Sequence, residues 1–109
     1  METYTKQQIK MRVLMIDGCE QAKLAYSEFC ADNDLPDCFS TIVYFMEGQN
    51  VIISVSFDMI NKVYTADFKC LDTYKLVFKT NFEERHDAEF YIAKRTFEYI
   101  EHQKGVRSW

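Results

Sequence analysis

From residue 39 to residue 80 the apolar side chains recur with a period near 2, whereas before and after that stretch they recur every three or four residues. A period of 2 buries one face of a strand, and a period of 3.6 buries one stripe of a helix. A 109-residue chain that switches from the second period to the first and back is restricted to one α+β domain over residues 1–109, with a helix at each end. Nine Phe and seven Tyr supply large apolar area for a single core.

Thr5 and Gln8 have the spacing of a capping box, and Tyr4 with Ile9 can form the accompanying hydrophobic staple, so a helix is predicted from Lys6. Gln8, Met11, Met15, Gly18, Ala22, Ala25 and Phe29 then make one stripe of roughly six turns. They predict one long helix ending near Asp32, before Leu35-Pro36. A competing reading makes residues 11–16 a strand that turns at Asp17-Gly18 into a helix. Residues 39–47, 51–58, 62–70 and 73–80 predict four consecutive strands, the first two joined through Gly48-Gln49-Asn50. Alternation sends Val51, Ile53, Val55, Phe57, Tyr64, Ala66, Phe68, Cys70, Tyr74, Leu76 and Phe78 to the core face. Ile52, Ser54, Ser56, Val63, Thr65, Asp67, Lys69, Thr73, Lys75, Val77 and Lys79 go to the other. Thr80 and Glu83 predict a second capping box, with Asn81 as the alternative cap. His86, Phe90, Ala93, Phe97 and Ile100 form an inward stripe that Tyr91 and Ile92 widen, and Lys104-Gly105 is the stop. The expected fold is α+β, a two-layer sandwich of order α-β-β-β-β-α. Its four-stranded antiparallel sheet carries the long N-terminal helix and the C-terminal helix on one face.

Function is constrained mostly by exclusion. Cys19, Cys30, Cys38 and Cys70 contain no Cys-x-x-Cys pair, which fits reduced thiols in a cytoplasmic protein better than a zinc site. No secretory or transit signal and no spanning apolar run is present, so no membrane association is expected. The three glycines include no phosphate-binding loop, and no cofactor is expected. Glu83 and His86 stand three apart on a helix, the spacing of a carboxylate-bridged metal pair. No second such pair exists, since His102 has no Glu at that offset. No metal and no catalytic residue are assigned, and the chain is expected not to be an enzyme.

Two surfaces remain. The net charge of −4 is uneven: residues 1–38 carry four basic and seven acidic side chains, residues 39–80 balance at four each, and residues 81–109 carry five basic and six acidic. An acidic face can occupy a basic active site or nucleic-acid-binding groove of another protein. On the same helix Ile9, Val13, Leu14 and Ile16 exceed what one sheet-facing stripe can bury, so a partner or a second copy should cover them. Ile9, Val13, Ile16, Asp17 and Glu20 are the expected interface, either with another protein or in a homodimer through the first helix. The order of elements resembles RWD-type domains and small acidic secretion chaperones, both of which bind proteins. The single proline, Pro36, precedes the sheet, and residues 59–61 leave no room for a helix between strands, so the likeness is confined to architecture. The leading expectation is a protein-binding module of inhibitor, antitoxin or immunity type. The alternative is a nucleic-acid regulator using Lys69, Lys75 and Lys79 on the open sheet face.

Overall fold

A computed structural model describes residues 10–107. Its elements in chain order are a 3-10 turn (Val13–Met15), α1 (Glu20–Asn33), α2 (Phe39–Gly48), β1 (Val51–Asp58), β2 (Val63–Cys70), β3 (Lys75–Phe82), α3 (Arg85–Tyr99) and a π turn (Ile100–Lys104). The expected four-stranded sheet is overturned: the strands form a three-stranded antiparallel sheet in the order β1-β2-β3, and the chain has three helices among the described residues.

The missing strand is α2. Its sequence is dense in β-branched and aromatic residues, a composition that suits strands when nothing else intervenes. A strand would have sent Ile42, Tyr44 and Met46 to one side and Thr41, Val43 and Phe45 to the other. A helix instead gathers Ile42, Phe45 and Met46 on one side, all three with no exposed surface. There they meet β1, α1 and α3. Burial on that side outweighs local strand preference, and Gly48-Gln49-Asn50 becomes a helix-to-strand connection with Asn50 left-handed at φ 60°.

The long N-terminal helix is also corrected. Arg12, Gly18 and Cys19 have φ of 55°, 72° and 57°, incompatible with a right-handed helix through them. Breaking the helix lets Met11, Val13, Ile16 and Cys19 all enter the core, which a single stripe could not achieve. The competing reading has the helix beginning after Gly18, as observed, but residues 11–16 are not a strand: Val13–Met15 form a 3-10 turn, and the isolated bridge nearby pairs Lys10 with Cys38. The expected box at Thr5 and Gln8 and the staple at Tyr4 and Ile9 lie outside the described residues. α1 is capped from afar: the Ala22 N–H donates to Glu101 Oε1 at 2.9 Å, so a carboxylate from the π turn sits at the positive end of the helix.

Val51, Ile53, Ala66, Phe68 and Cys70 are buried on the sheet face covered by helices, and the pairing puts Ile53, Phe68 and Phe78 in one row. Between Phe68 and Lys69 the β2–β3 register shifts, so that Leu76 faces Lys69 and Lys75 faces Cys70. Such a bulge moves the following residues to the opposite face. Leu76, expected inward, therefore joins the open face. Because β3 continues to Phe82, the box at Thr80 and Glu83 does not form, and Glu84 is the N-cap of α3. α3 buries Ala88, Ile92, Ala93, Thr96 and Phe97, while Phe90 and His86 are exposed. The centre of the core is aromatic. Tyr26 meets Phe45 and Phe97 edge-on at 5.4 and 5.5 Å, and those two rings stack at 6.0 Å.

The β1–β2 turn is held by one side chain. Asp58 Oδ1 accepts the N–H groups of Ile60 and Asn61 at 2.9 and 3.2 Å, and Oδ2 accepts from Asn61 Nδ2 at 2.8 Å. These bonds, the Asn61 side chain foremost, hold the Asp58 carboxyl below the usual carboxylate range. A carboxylate so depressed stabilises the turn above its unfolded-state pKa, and that contribution is lost as pH falls through its folded value. Asp58→Ala should therefore speed hydrogen exchange at the Ile60 and Asn61 amides at pH 7, and the difference from wild type should vanish in acid. Equal exchange at pH 7 would contradict this account.

Candidate docking groove

Asp37 organises a concave feature beside α1. The residue is buried at the end of the connection between α1 and α2. Its Oδ2 accepts the N–H of Val13 at 3.0 Å, its Oδ1 accepts the Tyr26 hydroxyl at 2.8 Å, and its own carbonyl accepts the N–H of Met11 at 3.0 Å. Two of these bonds bracket Arg12, whose left-handed conformation costs on the order of 1–3 kcal/mol and persists only where surroundings impose it. Burial, then the Asp37 charge and Cys30, push the Tyr26 phenol well above its ordinary pKa. Tyr26 thus donates to Asp37 as a neutral phenol.

This clamp holds residues 10–15 as a strap across α1. Between them lies a groove of about 910 Å³. Lys10, Arg12, Val13, Leu14 and Met15 line one wall, Tyr26, Ser27, Cys30 and Ala31 the other, and residues 34–37 close one end. The 3-10 turn has a sharp division of labour. Val13 and Ile16 are buried, whereas Leu14 and Met15 between them are 68% and 76% exposed. Leu24 is exposed as well and stands one helical turn before Ser27 on the same side of α1.

The surroundings are acidic. Asp17, Glu20, Glu28, Asp32 and Asp34 are exposed. Lys23, the one basic residue of α1, is turned back on the chain: its Nζ donates to the Ile16 carbonyl at 2.8 Å and pairs with Glu20 at 3.3 Å. An apolar lip thus stands beside a set of exposed carboxylates, of which Glu20 is paired with Lys23.

The predicted interface residues are divided by this arrangement. Val13 and Ile16 point into the protein's own core, Asp17 and Glu20 lie on the acidic surface, and Ile9 is outside the described residues. Leu14, Met15 and Leu24 take the exposed positions. Leu24 could have been noticed as an apolar residue off the helix stripe; the exposure of Leu14 and Met15 depends on the turn at Arg12. On the open sheet face Lys69 stands beside Ile52 and Leu76, and Lys79 is paired in register with Asp67. The bulge removes Lys75 from that row by setting it opposite Cys70. Glu83 and His86 are both exposed, and among the described residues no three His, Cys, Asp or Glu side chains converge on a position that could hold a metal ion. Nor is any helix among those residues long and apolar enough to cross a membrane.

No protein-family model matches the chain, and no curated protein or solved structure matches it significantly. Shape, polarity and charge therefore carry the functional reading. The groove offers a concave wall that carries Lys10 and Arg12 as well as Asp34 and Asp37, with Leu14 and Met15 exposed beside the carboxylates of α1.

Proposed function

We propose that the chain is a non-enzymatic, cytoplasmic protein-binding module of inhibitor, antitoxin or immunity type. In this reading the strap and α1 occupy a basic functional surface of a partner protein. The observation that supports it best is the exposure of Leu14 and Met15 beside the acidic face of α1. Aliphatic anchors at the centre of a contact supply affinity, while a charged rim supplies orientation and a fast encounter with a surface of opposite sign. A reducing compartment fits the four cysteines, all of which are free thiols.

The test is a double variant, Leu14→Glu with Met15→Glu. Both side chains are exposed, so the circular-dichroism spectrum and melting temperature should stay at wild-type values. Affinity for the protein captured from the native host should fall roughly 100-fold, the equivalent of about 2.7 kcal/mol for two lost anchors, and added salt should weaken the wild-type complex. An unchanged affinity would remove the groove from the interaction. A wild-type solution mass of twice the chain that drops on this substitution would make the occupant a second copy. Steeply salt-dependent binding to single-stranded RNA, lost on changing Lys69, Lys75 and Lys79 to Glu, would replace the protein-binding reading with the nucleic-acid one.

A further inference from the structure

Arg12 lines the groove from the strap, and its guanidinium makes no hydrogen bond or ion pair among the described residues. Its backbone is nonetheless fixed on both sides. The Met11 N–H donates to the Asp37 carbonyl and the Val13 N–H to the Asp37 carboxylate, each at 3.0 Å. Lys10, two residues earlier in the strap, lines the same wall. Asp37, an acid of the same lining, is buried and already accepts the Val13 N–H and the Tyr26 hydroxyl, and Asp34 stands with Leu35 and Pro36 at the closed end. A negative head group is therefore drawn to the Arg12 wall and away from Asp34. Leu14, Met15, Ala31, Leu35 and Pro36 offer apolar surface to whatever is attached to it. This lining suits a hydrocarbon better than a peptide. Every residue of a peptide brings an N–H and a C=O that need partners once water is displaced. A free strand edge would supply them, but Asp37 takes the Met11 and Val13 N–H groups and Lys10 is bridged to Cys38. An unbranched tail makes no such demand.

We propose that the groove is a binding site for a free, single-chain aliphatic carboxylate, with its head group on the Arg12 guanidinium and its tail between the strap and α1. The site stands on the groove's own lining and does not depend on the protein-binding reading. A planar guanidinium meets a carboxylate through two parallel N–H donors, a match that a point charge cannot make. The volume of about 910 Å³ falls among pockets that hold small ligands, which are mostly apolar and carry a few polar groups that fix orientation. An alcohol on the same tail keeps the apolar contacts and loses the paired charge. An ammonium on that tail meets Lys10 and Arg12 as like charges.

The test titrates the full chain with octanoate, octan-1-ol and octylammonium, each below its micellar concentration. Calorimetry gives the affinity, and amide chemical shifts locate the site. Octanoate should bind one-to-one and roughly tenfold more tightly than the alcohol, the effect of one charge-assisted contact at a partly exposed position. Octylammonium should bind weakest. Decanoate should bind about tenfold more tightly than octanoate through its two additional methylenes. The shifts should concentrate at Leu14, Met15, Ser27 and Ala31. Arg12→Gln should bring octanoate down to the affinity of the alcohol and leave the alcohol unchanged, and Arg12→Lys should restore part of the loss. Ala31→Phe, at an exposed position of α1, should weaken all three probes by filling the groove. Equal affinity for the three head groups, shifts centred on the sheet amides, or no saturable binding overturns the proposal. The head-group comparison is made on the unsubstituted chain, so it decides the matter even where a variant does not fold.

Discussion

Phe45→Ala should lower the stability of the fold by about 4 kcal/mol, the range seen when a fully buried aromatic is truncated. Phe45 has no exposed surface and touches the rings of Tyr26, Phe29 and Phe97. It joins α1, α2 and α3 in one contact set. Its removal leaves a void bordered by three rings that are themselves held by other packing, so the site collapses only partly. Against a total of roughly 5–15 kcal/mol for a single domain, the loss should bring the melting temperature down by about 20 °C. Chemical denaturation at 25 °C followed by near-ultraviolet circular dichroism measures it. A loss under about 1 kcal/mol would mean that α2 does not pack as described.

Asp37→Ala should cost nearly as much, about 3–4 kcal/mol, although no large apolar group is lost. The carboxylate accepts two hydrogen bonds from buried or nearly buried donors, the Val13 N–H and the Tyr26 hydroxyl. Each donor left without a partner costs on the order of 1–3 kcal/mol. Tyr26→Phe removes one donor while leaving the Val13 bond, so it should cost about 1–2 kcal/mol, and the two substitutions should be non-additive. The strap should report the change first. Amide exchange at Met11 and Val13 should accelerate in Asp37→Ala more than exchange in β2, and binding through Leu14 and Met15 should weaken with it. A uniform acceleration across the chain would show that the strap and the core open as one unit; stability equal to wild type would refute the clamp.

The readable parts of the sequence were those in which a local pattern and the final burial agreed. Strand alternation over residues 51–58 and 62–70 identified Val51, Ile53, Ala66, Phe68 and Cys70 as buried, because each strand presents one face to helices and the period follows from backbone geometry alone; Phe57, expected on the same face, is 49% exposed at the far end of β1. α3 was legible from Ala93 and Phe97 for the same reason, with Ile100 buried at the start of the π turn that follows. Its start was misplaced because Thr80 and Asn81 are drawn into β3, where backbone pairing with β2 outcompetes a local cap. The acidic surface could be counted from the chain, since Asp17, Glu20, Glu28, Asp32 and Asp34 lie close in sequence and are all exposed, whereas Asp37 of the same count is buried.

Local pattern determined that this is an α+β chain with an antiparallel sheet, a C-terminal helix and an acidic N-terminal third. Tertiary structure decided that residues 39–48 are a helix, that the N-terminal stripe is broken at Arg12, Gly18 and Cys19, and that Leu14 and Met15 are outside while Val13 and Ile16 are inside. Each of these decisions depends on a partner far away in sequence: Phe97 for Phe45, Glu101 for the start of α1, Asp37 for the strap. Periodicity records how a segment could bury one face of itself. Where the chain has more apolar residues than one face can hold, the surfaces available on other elements determine the path of the backbone.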